Sequence, residues 1–121
     1  MRISIKRAYE DADRGDGYRV LVDRVWPRGR SRQTLQLADW AKELAPSTKL
    51  RQWFDHDPAR WETFQQRYRR ELAPAAQQAR LHALLAAAGA APLTLVYGAK
   101  DEDHNNAVVL RDVLLQMSRR R

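Results

Sequence analysis

The order of apolar and polar residues in the first third of the chain predicts strands joined by polar loops. Residues 3–9 alternate between apolar and polar positions, which is the period-two pattern of a half-buried strand. Residues 18–22 form a short apolar, β-branched run that is typical of a more buried strand. Residues 35–41 predict a third, short strand that contains Trp40.

The second part of the chain changes to the three-and-four spacing of amphipathic helices. Ser47 is the predicted N-cap of a short helix. Asp57 followed by Pro58 predicts the start of the next helix, because proline is tolerated at the first helical position. The apolar face of that second helix repeats every three or four residues, at Trp61, Phe64, Tyr68 and Leu72.

A buried strand predicted at residues 93–97 lies between two further helices. The helix before it is predicted to end at Gly89, and the helix after it to begin with Asp103 as its cap. The element order is therefore β–β–(β)–α–α–α–β–α. This order predicts an α/β fold for residues 1–121: a single small domain with a mostly parallel sheet of three to four strands, packed with about four helices.

The composition supports one globular domain and removes several kinds of chemistry. A chain of 121 residues that is 44% hydrophobic can bury a core without support from disulfides or metal ions. The absence of cysteine excludes disulfides, thiolate catalysis and cysteine-ligated metals. The three histidines show no metal-ligand spacing, and the chain has no phosphate-binding glycine loop or nucleophile elbow. The motifs therefore predict no metal site and leave any cofactor unknown.

The net charge of +7 favours an anionic partner, which is either a small ligand or a nucleic acid. Only four of the 22 basic residues are lysines, and the other 18 are arginines, whose guanidinium groups bind carboxylates and phosphates through paired hydrogen bonds. Three of them form a basic tail at residues 119–121. No signal peptide or apolar stretch of membrane-spanning length is found, which predicts a cytoplasmic protein without a membrane partner. The oligomeric state is left open.

Two loops are expected to lie side by side at one edge of the sheet. Residues 23–30 follow the strand at 18–22, and residues 98–106 follow the strand at 93–97. Parallel strands place their carboxyl ends at the same edge, where open α/β sheets bind their ligands. We therefore expect functional residues in these two loops, together with a third cluster that begins at Ser47.

The first loop carries Arg24, Trp26 and Arg28, which are predicted ligand-binding residues. The two arginines can clamp an anion, and the indole ring can stack on a flat group. The alternative interpretation is structural. In that case Arg24 pairs with Asp23 or Asp39, and Trp26 fills the core.

The segment around the first predicted helix supplies four more predicted ligand-binding residues: Ser47, Arg51, Trp53 and His56. Ser47 and the free N–H groups of its helix can hold a phosphate or a carboxylate, and the alternative is an ordinary N-cap. The position of His56 before the Asp57 cap favours a structural hydrogen bond over catalysis.

The loop after residues 93–97 supplies Lys100, Asp101 and Asn105. Lys100 and Asp101 follow the strand most directly and are the predicted catalytic residues, since proton transfer needs groups of this kind at the site. Asn105 is a predicted ligand-binding residue. The alternative is that the acidic residues of this loop complement the dipole of the following helix.

Taken together, these clusters resemble the bacterial YeaO-like family, a domain of unknown function. The resemblance spans nearly the whole chain, and it rests above all on Trp-Pro-Arg-Gly at 26–29, Ala-Pro-Ser at 45–47, His-Asp-Pro at 56–58 and Ala-Lys-Asp at 99–101. It implies an α/β fold, with no established activity or cofactor. More distant relatives look as if they carry Cys-His-Arg in place of residues 105–107, so any chemistry of those residues does not extend to this chain.

The sequence leaves three functions open. The leading hypothesis is an Arg- and Trp-lined pocket for a small anionic ligand, such as a nucleotide or a phosphorylated metabolite, with or without enzymatic activity. The first alternative is a nucleic-acid-binding module that uses the basic helix face of Arg60, Arg67, Arg69 and Arg70 together with the basic tail. The second is a non-catalytic interaction protein that uses its four tryptophans.

Overall fold

Four parallel strands form one sheet in the computed structural model, which describes residues 1–120. Across the sheet the strands follow the order β1 (Ile3–Arg7), β4 (Leu93–Tyr97), β2 (Tyr18–Leu21) and β3 (Asp39–Trp40). All three neighbouring pairs are parallel. The predicted α/β class with a mostly parallel sheet is therefore confirmed. Arg121, the last residue of the basic tail, lies outside the described residues.

The part of the chain that the structure describes contains five α-helices, one more than the sequence predicts. They are α1 (Arg32–Leu35), α2 (Thr48–Phe54), α3 (Trp61–Leu72), α4 (Ala75–Ala88) and α5 (Asn106–Arg119). Helix α5 packs against β1 and β4, and α3 packs against α2 and α5. The predicted Asp57 cap is confirmed, because its side chain accepts a hydrogen bond from Ala59 N at 3.0 Å. It caps a 3₁₀ turn, Pro58–Arg60, that leads into α3.

Strand β4 lies in the middle of the sheet, and all five of its residues are buried. Its alternate residues Leu93, Leu95 and Tyr97 belong to the main core, which the sheet forms with the longer helices. On the other face of the sheet, Val96 belongs to a smaller core with three other buried residues, Ala8, Leu21 and Leu35. The two cores explain why β4 reads as a continuous apolar run rather than as an alternating one.

The strand predicted at residues 35–41 is wrong except for the two residues of β3. Ser31 caps α1 by accepting a hydrogen bond from Thr34 N at 3.1 Å. Gln36 then takes a left-handed conformation, with φ of 47°, and ends that helix. Helix capping at one end and a left-handed stop at the other therefore override the short apolar pattern.

The predicted cap of the last helix is also wrong. Asn105 caps α5, because its side chain accepts a hydrogen bond from Val108 N at 3.2 Å. Asp103 lies two residues too early for this role, and its own backbone N–H donates to Asp101 Oδ1 at 2.9 Å.

A charged network lies beside the amino end of β2. Asp16 accepts hydrogen bonds from Lys6 Nζ at 3.2 Å and from Arg19 Nη1 at 2.7 Å. Arg19 is 4% exposed, and its Nε also donates to Leu35 O at 2.9 Å. Thr94 Oγ1 donates to Asp16 O at 2.7 Å. The network therefore connects β1, β2 and β4 on the face that carries the smaller core.

Candidate functional site

The loops that follow β2 and β4 meet at one edge of the sheet, as the sequence predicts. Asp23 Oδ2 accepts a hydrogen bond from Gly98 N at 2.8 Å. The side chain of Asn106, the first residue of α5, donates to Val22 O at 3.0 Å and to Asp23 Oδ1 at 3.1 Å. These bonds join the carboxyl ends of two neighbouring strands to the start of the last helix.

A cavity of about 600 Å³ opens at this edge. Phe54 and Phe64 form apolar walls from α2 and α3, and their rings stack with centroids 4.3 Å apart. The loop after β2 contributes Val25, which is 56% exposed at the cavity. The volume lies within the range of small-molecule sites, which are apolar clefts with a few converging polar groups.

The structure brings six of the ten predicted site residues to this cavity. They are Arg24, Arg51, His56, Lys100, Asp101 and Asn105. Residues from three separate segments of the chain therefore converge, as expected if the loops after parallel strands share one edge.

Two of the other predicted residues, Trp26 and Ser47, have structural contacts outside the cavity lining. Trp26 Nε1 donates to Arg30 O at 2.7 Å, and its ring packs edge-on against Trp40 beside the smaller core. Ser47 Oγ donates to Glu71 Oε2 at 2.6 Å and accepts from Leu50 N at 3.1 Å, so Ser47 is an N-cap held in place by Glu71.

Trp53 and Arg28 also lie outside the cavity lining. The Trp53 ring is covered by two guanidinium groups, Arg60 at 5.4 Å and Arg67 at 4.4 Å from its centroid. Arg28 is exposed, and its backbone carbonyl accepts a hydrogen bond from Tyr9 Oη at 3.0 Å.

Arg24 and Arg51 both line the cavity. Arg24 is positioned by two backbone carbonyls, since its Nε donates to Pro46 O at 3.2 Å and its Nη2 to Ala45 O at 3.4 Å. Within residues 1–120, no aspartate or glutamate lies at ion-pair distance from either arginine. The structural alternative, in which Arg24 pairs with Asp23 or Asp39, is therefore not what the structure shows.

Asp23 is a residue of this site that the sequence interpretation missed. It lines the cavity together with Arg24 and Arg51. Burial raises the pKa of its carboxyl group, while the hydrogen bonds from Gly98 N–H and the Asn106 side chain and the nearby charges of Arg51 and His56 oppose that rise. The signal available in the sequence was its position directly after a buried strand, at the end where parallel sheets bind ligands.

Asp101 and His104 form a pair at the cavity, and His104 is the second residue that was missed. His104 Nδ1 lies 2.9 Å from Asp101 Oδ2, and the imidazole packs edge-on against Trp61 with centroids 5.3 Å apart. Asp101 Oδ1 accepts the backbone N–H groups of Asp103 and His104 at 2.9 and 3.0 Å. These bonds lower the pKa of Asp101, the backbone bond from Asp103 having the largest effect.

The remaining predicted residues differ in how firmly they are held. Asn105 is buried at 2% exposure, with its Nδ2 donating to Asp101 O at 2.9 Å in addition to its capping bond. Lys100 is exposed at the cavity mouth. His56 follows Asp55, and both take left-handed conformations, with φ of 55° and 48°, that turn the chain away from α2.

Membrane-spanning helices and metal-binding clusters are both absent from residues 1–120. No helix there is both long and apolar enough to cross a membrane. Within the same residues, no group of three or more histidines, aspartates or glutamates is arranged to hold a metal ion.

Comparisons with known proteins place the chain in a family. The model of the inactive DUF488-N3 subclade matches residues 2–121. The chain is 45% identical to the Uncharacterized protein YeaO of Escherichia coli (strain K12), over 94% of this chain and 97% of that protein. It is 39% identical to the Uncharacterized protein Rv3073c of Mycobacterium tuberculosis (strain ATCC 25618 / H37Rv), over 93% of both chains. No solved structure matches significantly. The chain therefore belongs to this family of YeaO-like domains of unknown function, in the subclade described as inactive.

Proposed function

We propose that the protein binds a small anionic ligand in this cavity and holds the anion through Arg24 and Arg51. The observation that carries the proposal is the Arg51 side chain, which lies at the cavity without a hydrogen-bond or ion-pair partner among the described residues. Arg24 is preorganised by its carbonyl contacts, which engage Nε and Nη2 and leave Nη1 for a ligand. Lys100 adds a third cation at the cavity mouth.

Two arginines at one apolar cavity suit a carboxylate or a phosphate. Guanidinium groups form charge-assisted, often paired hydrogen bonds with these anions, and such bonds are about twice as strong as neutral ones.

Binding without turnover has more support than catalysis. Asp101, the predicted proton-transfer group, already uses both carboxylate oxygens, one for two backbone N–H groups and the other for His104. The matching family is itself described as an inactive subclade. In this function Asp101 positions His104 and the loop after β4.

The two alternative functions have less support from the contacts. Arg60 and Arg67, which belong to the basic surface considered for nucleic acid, both cover the ring of Trp53. Arg60 is engaged further, since its Nη1 donates to Trp53 O at 2.5 Å. All four tryptophans are partly buried, which leaves little indole surface for a protein partner.

The test is a thermal-shift and calorimetric screen of the wild type, Arg51→Ala and Arg70→Ala. Arg70 is a matched control because it is an exposed helical arginine outside the cavity lining. The probes are inorganic phosphate, acetate, mononucleotides and a short DNA duplex. A ligand at 100 times its Kd should stabilise the fold by about 2.7 kcal/mol, which is several degrees for a domain of this size.

We expect at least one small anion to stabilise the wild type and Arg70→Ala but not Arg51→Ala. Equal binding by both variants, or binding to the duplex alone with a steep dependence on salt, would contradict the proposal.

A further inference from the structure

The cavity contains more than an anion site. Phe54 and Phe64 are 6% and 2% exposed, and their stacked rings form part of the cavity wall. Val25 lies at the same cavity and is one of only three large apolar residues that are strongly exposed within residues 1–120. A bare phosphate would leave this apolar surface uncovered, whereas a ligand with an apolar body would bury it.

The arginines need hydrogen-bond acceptors on a ligand, whereas the carboxylate of Asp23 needs hydrogen-bond donors. A carboxylate has about four acceptor positions. Within residues 1–120, this group accepts hydrogen bonds from two neutral donors, Gly98 N–H and the Asn106 amide. No cationic side chain lies at ion-pair distance from it among the described residues. A hydrogen-bond donor on a ligand would therefore fill acceptor positions that the protein leaves open, and bonds to an ionised acceptor are the strong ones.

We infer that the ligand is a small organic acid with an apolar, preferably aromatic, body and an N–H or O–H donor. Its acid group contacts Arg24 and Arg51, its donor contacts Asp23, and its apolar body packs against Phe54 and covers Val25. The inference rests on the proposed function, because it assigns the same arginines to the anion. It goes further by assigning the apolar wall and Asp23 to the rest of the ligand.

Three probes of nearly equal size separate these contacts. 3-Phenylpropionate offers the acid and the ring, 3-phenyllactate adds a hydroxyl donor, and phenylalanine adds an ammonium donor instead. Acetate and inorganic phosphate report on the anion site alone. Isothermal titration calorimetry with the full-length chain measures the affinity of each probe.

For the wild type we expect all three phenyl acids to bind more tightly than acetate. At least one donor-bearing acid should bind about tenfold more tightly than 3-phenylpropionate, which is the size of one charge-assisted hydrogen bond. A preference for phenyllactate identifies a hydroxyl donor, and a preference for phenylalanine identifies an ammonium donor. Either preference supports the inference.

Two variants test the contacts separately. Asp23→Asn should abolish the preference for the donor-bearing acids while the binding of 3-phenylpropionate persists. Val25→Ser, at an exposed position where folding is not at risk, should weaken all three phenyl acids and leave acetate and phosphate unchanged. The second variant keeps the test valid if the first does not fold.

The outcomes distinguish this inference from the proposed function. If phosphate or acetate binds through Arg51 but the phenyl acids bind no better than acetate, the inference fails and the proposed function stands. If the phenyl acids bind equally with and without a donor, the assignment of Asp23 fails. If neither these probes nor the mononucleotides bind, or if binding is unchanged in Arg51→Ala, both fail.

Discussion

Two aspartates lie on either side of β2, and their surroundings are opposite in character. Asp16 lies just before the strand and contacts two cationic side chains, Lys6 at 3.2 Å and Arg19 at 2.7 Å. Asp23 lies just after the strand and contacts two neutral donors, Gly98 N–H and the Asn106 amide. The charge of Asp16 is therefore compensated by two cationic side chains, whereas no cation within residues 1–120 lies at ion-pair distance from Asp23.

The pKa shifts of the two carboxyl groups express this difference. Burial tends to raise the pKa of Asp16, but the backbone N–H of Asp13 and the hydrogen bonds and charge of its cationic partners outweigh burial and lower it. For Asp23, burial is again the largest influence, and there its hydrogen bonds and the more distant charges of Arg51 and His56 do not outweigh it.

The two ends of β2 therefore differ in how their charged groups are arranged. At the amino end of β2, charged groups pair with one another and connect three strands. At the carboxyl end, where open sheets bind ligands, the cations and the carboxylate are held separately around a cavity. These unpaired charged groups are the ones that the proposed ligand would contact.

The largest expected effect comes from a glycine at the amino end of β2. Gly17 has φ of 67°, and a Cβ added there would lie 2.2 Å from Pro92 O. Gly17→Ala should therefore cost about 4 kcal/mol of unfolding free energy, since backbone strain and a steric clash act together. Urea denaturation followed by circular dichroism measures the loss.

Gly98→Ala is the matched variant at the carboxyl end. Its added Cβ would lie 3.2 Å from Asp23 Oδ2, a side-chain atom that can shift by a few tenths of an ångström. We expect a loss of less than about 1 kcal/mol, together with weaker ligand binding. A loss as large as that of Gly17→Ala would show that the carboxyl end is as tightly packed as the amino end, against the comparison.

Asp16→Asn should cost about 3 kcal/mol of unfolding free energy, because it leaves the charge of buried Arg19 uncompensated. Arg19 Nη2 already has no hydrogen-bond partner within residues 1–120, so little else can compensate that charge. Asp11→Asn is the control, since Asp11 is an exposed aspartate in the same loop. Equal stability of the two variants in urea denaturation would show that the Asp16 network contributes little.

A smaller effect is expected at Ser47, a predicted ligand-binding residue that the structure places outside the cavity lining. Ser47→Ala removes the cap of α2 and the hydrogen bond to Glu71, so we expect a loss of about 1–2 kcal/mol in unfolding free energy. Anion affinity, measured by calorimetry, should not change. A loss of affinity without a loss of stability would return Ser47 to the binding site.

Most of the fold could be predicted because its elements have strong periodic patterns. The amphipathic face of α3 and the apolar run of β4 each identify their element from local sequence. The segment at residues 31–41 could not be predicted in this way. Its structure depends on a side-chain cap at Ser31, a left-handed residue at Gln36 and only two strand residues.

The site could be located from the sequence, but its composition could be predicted only in part. Parallel strands required the two loops to meet, which brought Arg24 and Lys100 to one cavity. The direction of each side chain depends on tertiary contacts, and so Trp26 lies at the smaller core instead. Asp23 was missed because its donors come from residues 75 and 83 positions further along the chain.

The smallest of the expected effects is a difference in pH dependence between the two aspartates. The pKa of Asp23 is raised above its ordinary value of 3.8, so the folded state binds this proton more tightly than the unfolded state does. The contribution of Asp23 to stability is therefore fully present below the unfolded pKa and is lost as the pH rises through the folded pKa. The opposite holds for Asp16, whose lowered pKa makes its contribution present above 3.8 and lost as the pH falls.

Urea denaturation of the wild type, Asp23→Asn and Asp16→Asn between about pH 3 and pH 8 tests both signs at once. The unfolding free energy of the wild type minus that of Asp23→Asn should fall as the pH rises, whereas the same difference for Asp16→Asn should rise. The other carboxylates cancel because all three proteins share them. If both differences rise with pH, the ionised form of Asp23 is stabilised in the folded protein. The hydrogen bonds from Gly98 N–H and the Asn106 amide, together with the charges of Arg51 and His56, would then outweigh burial, against the contrast drawn between the two aspartates.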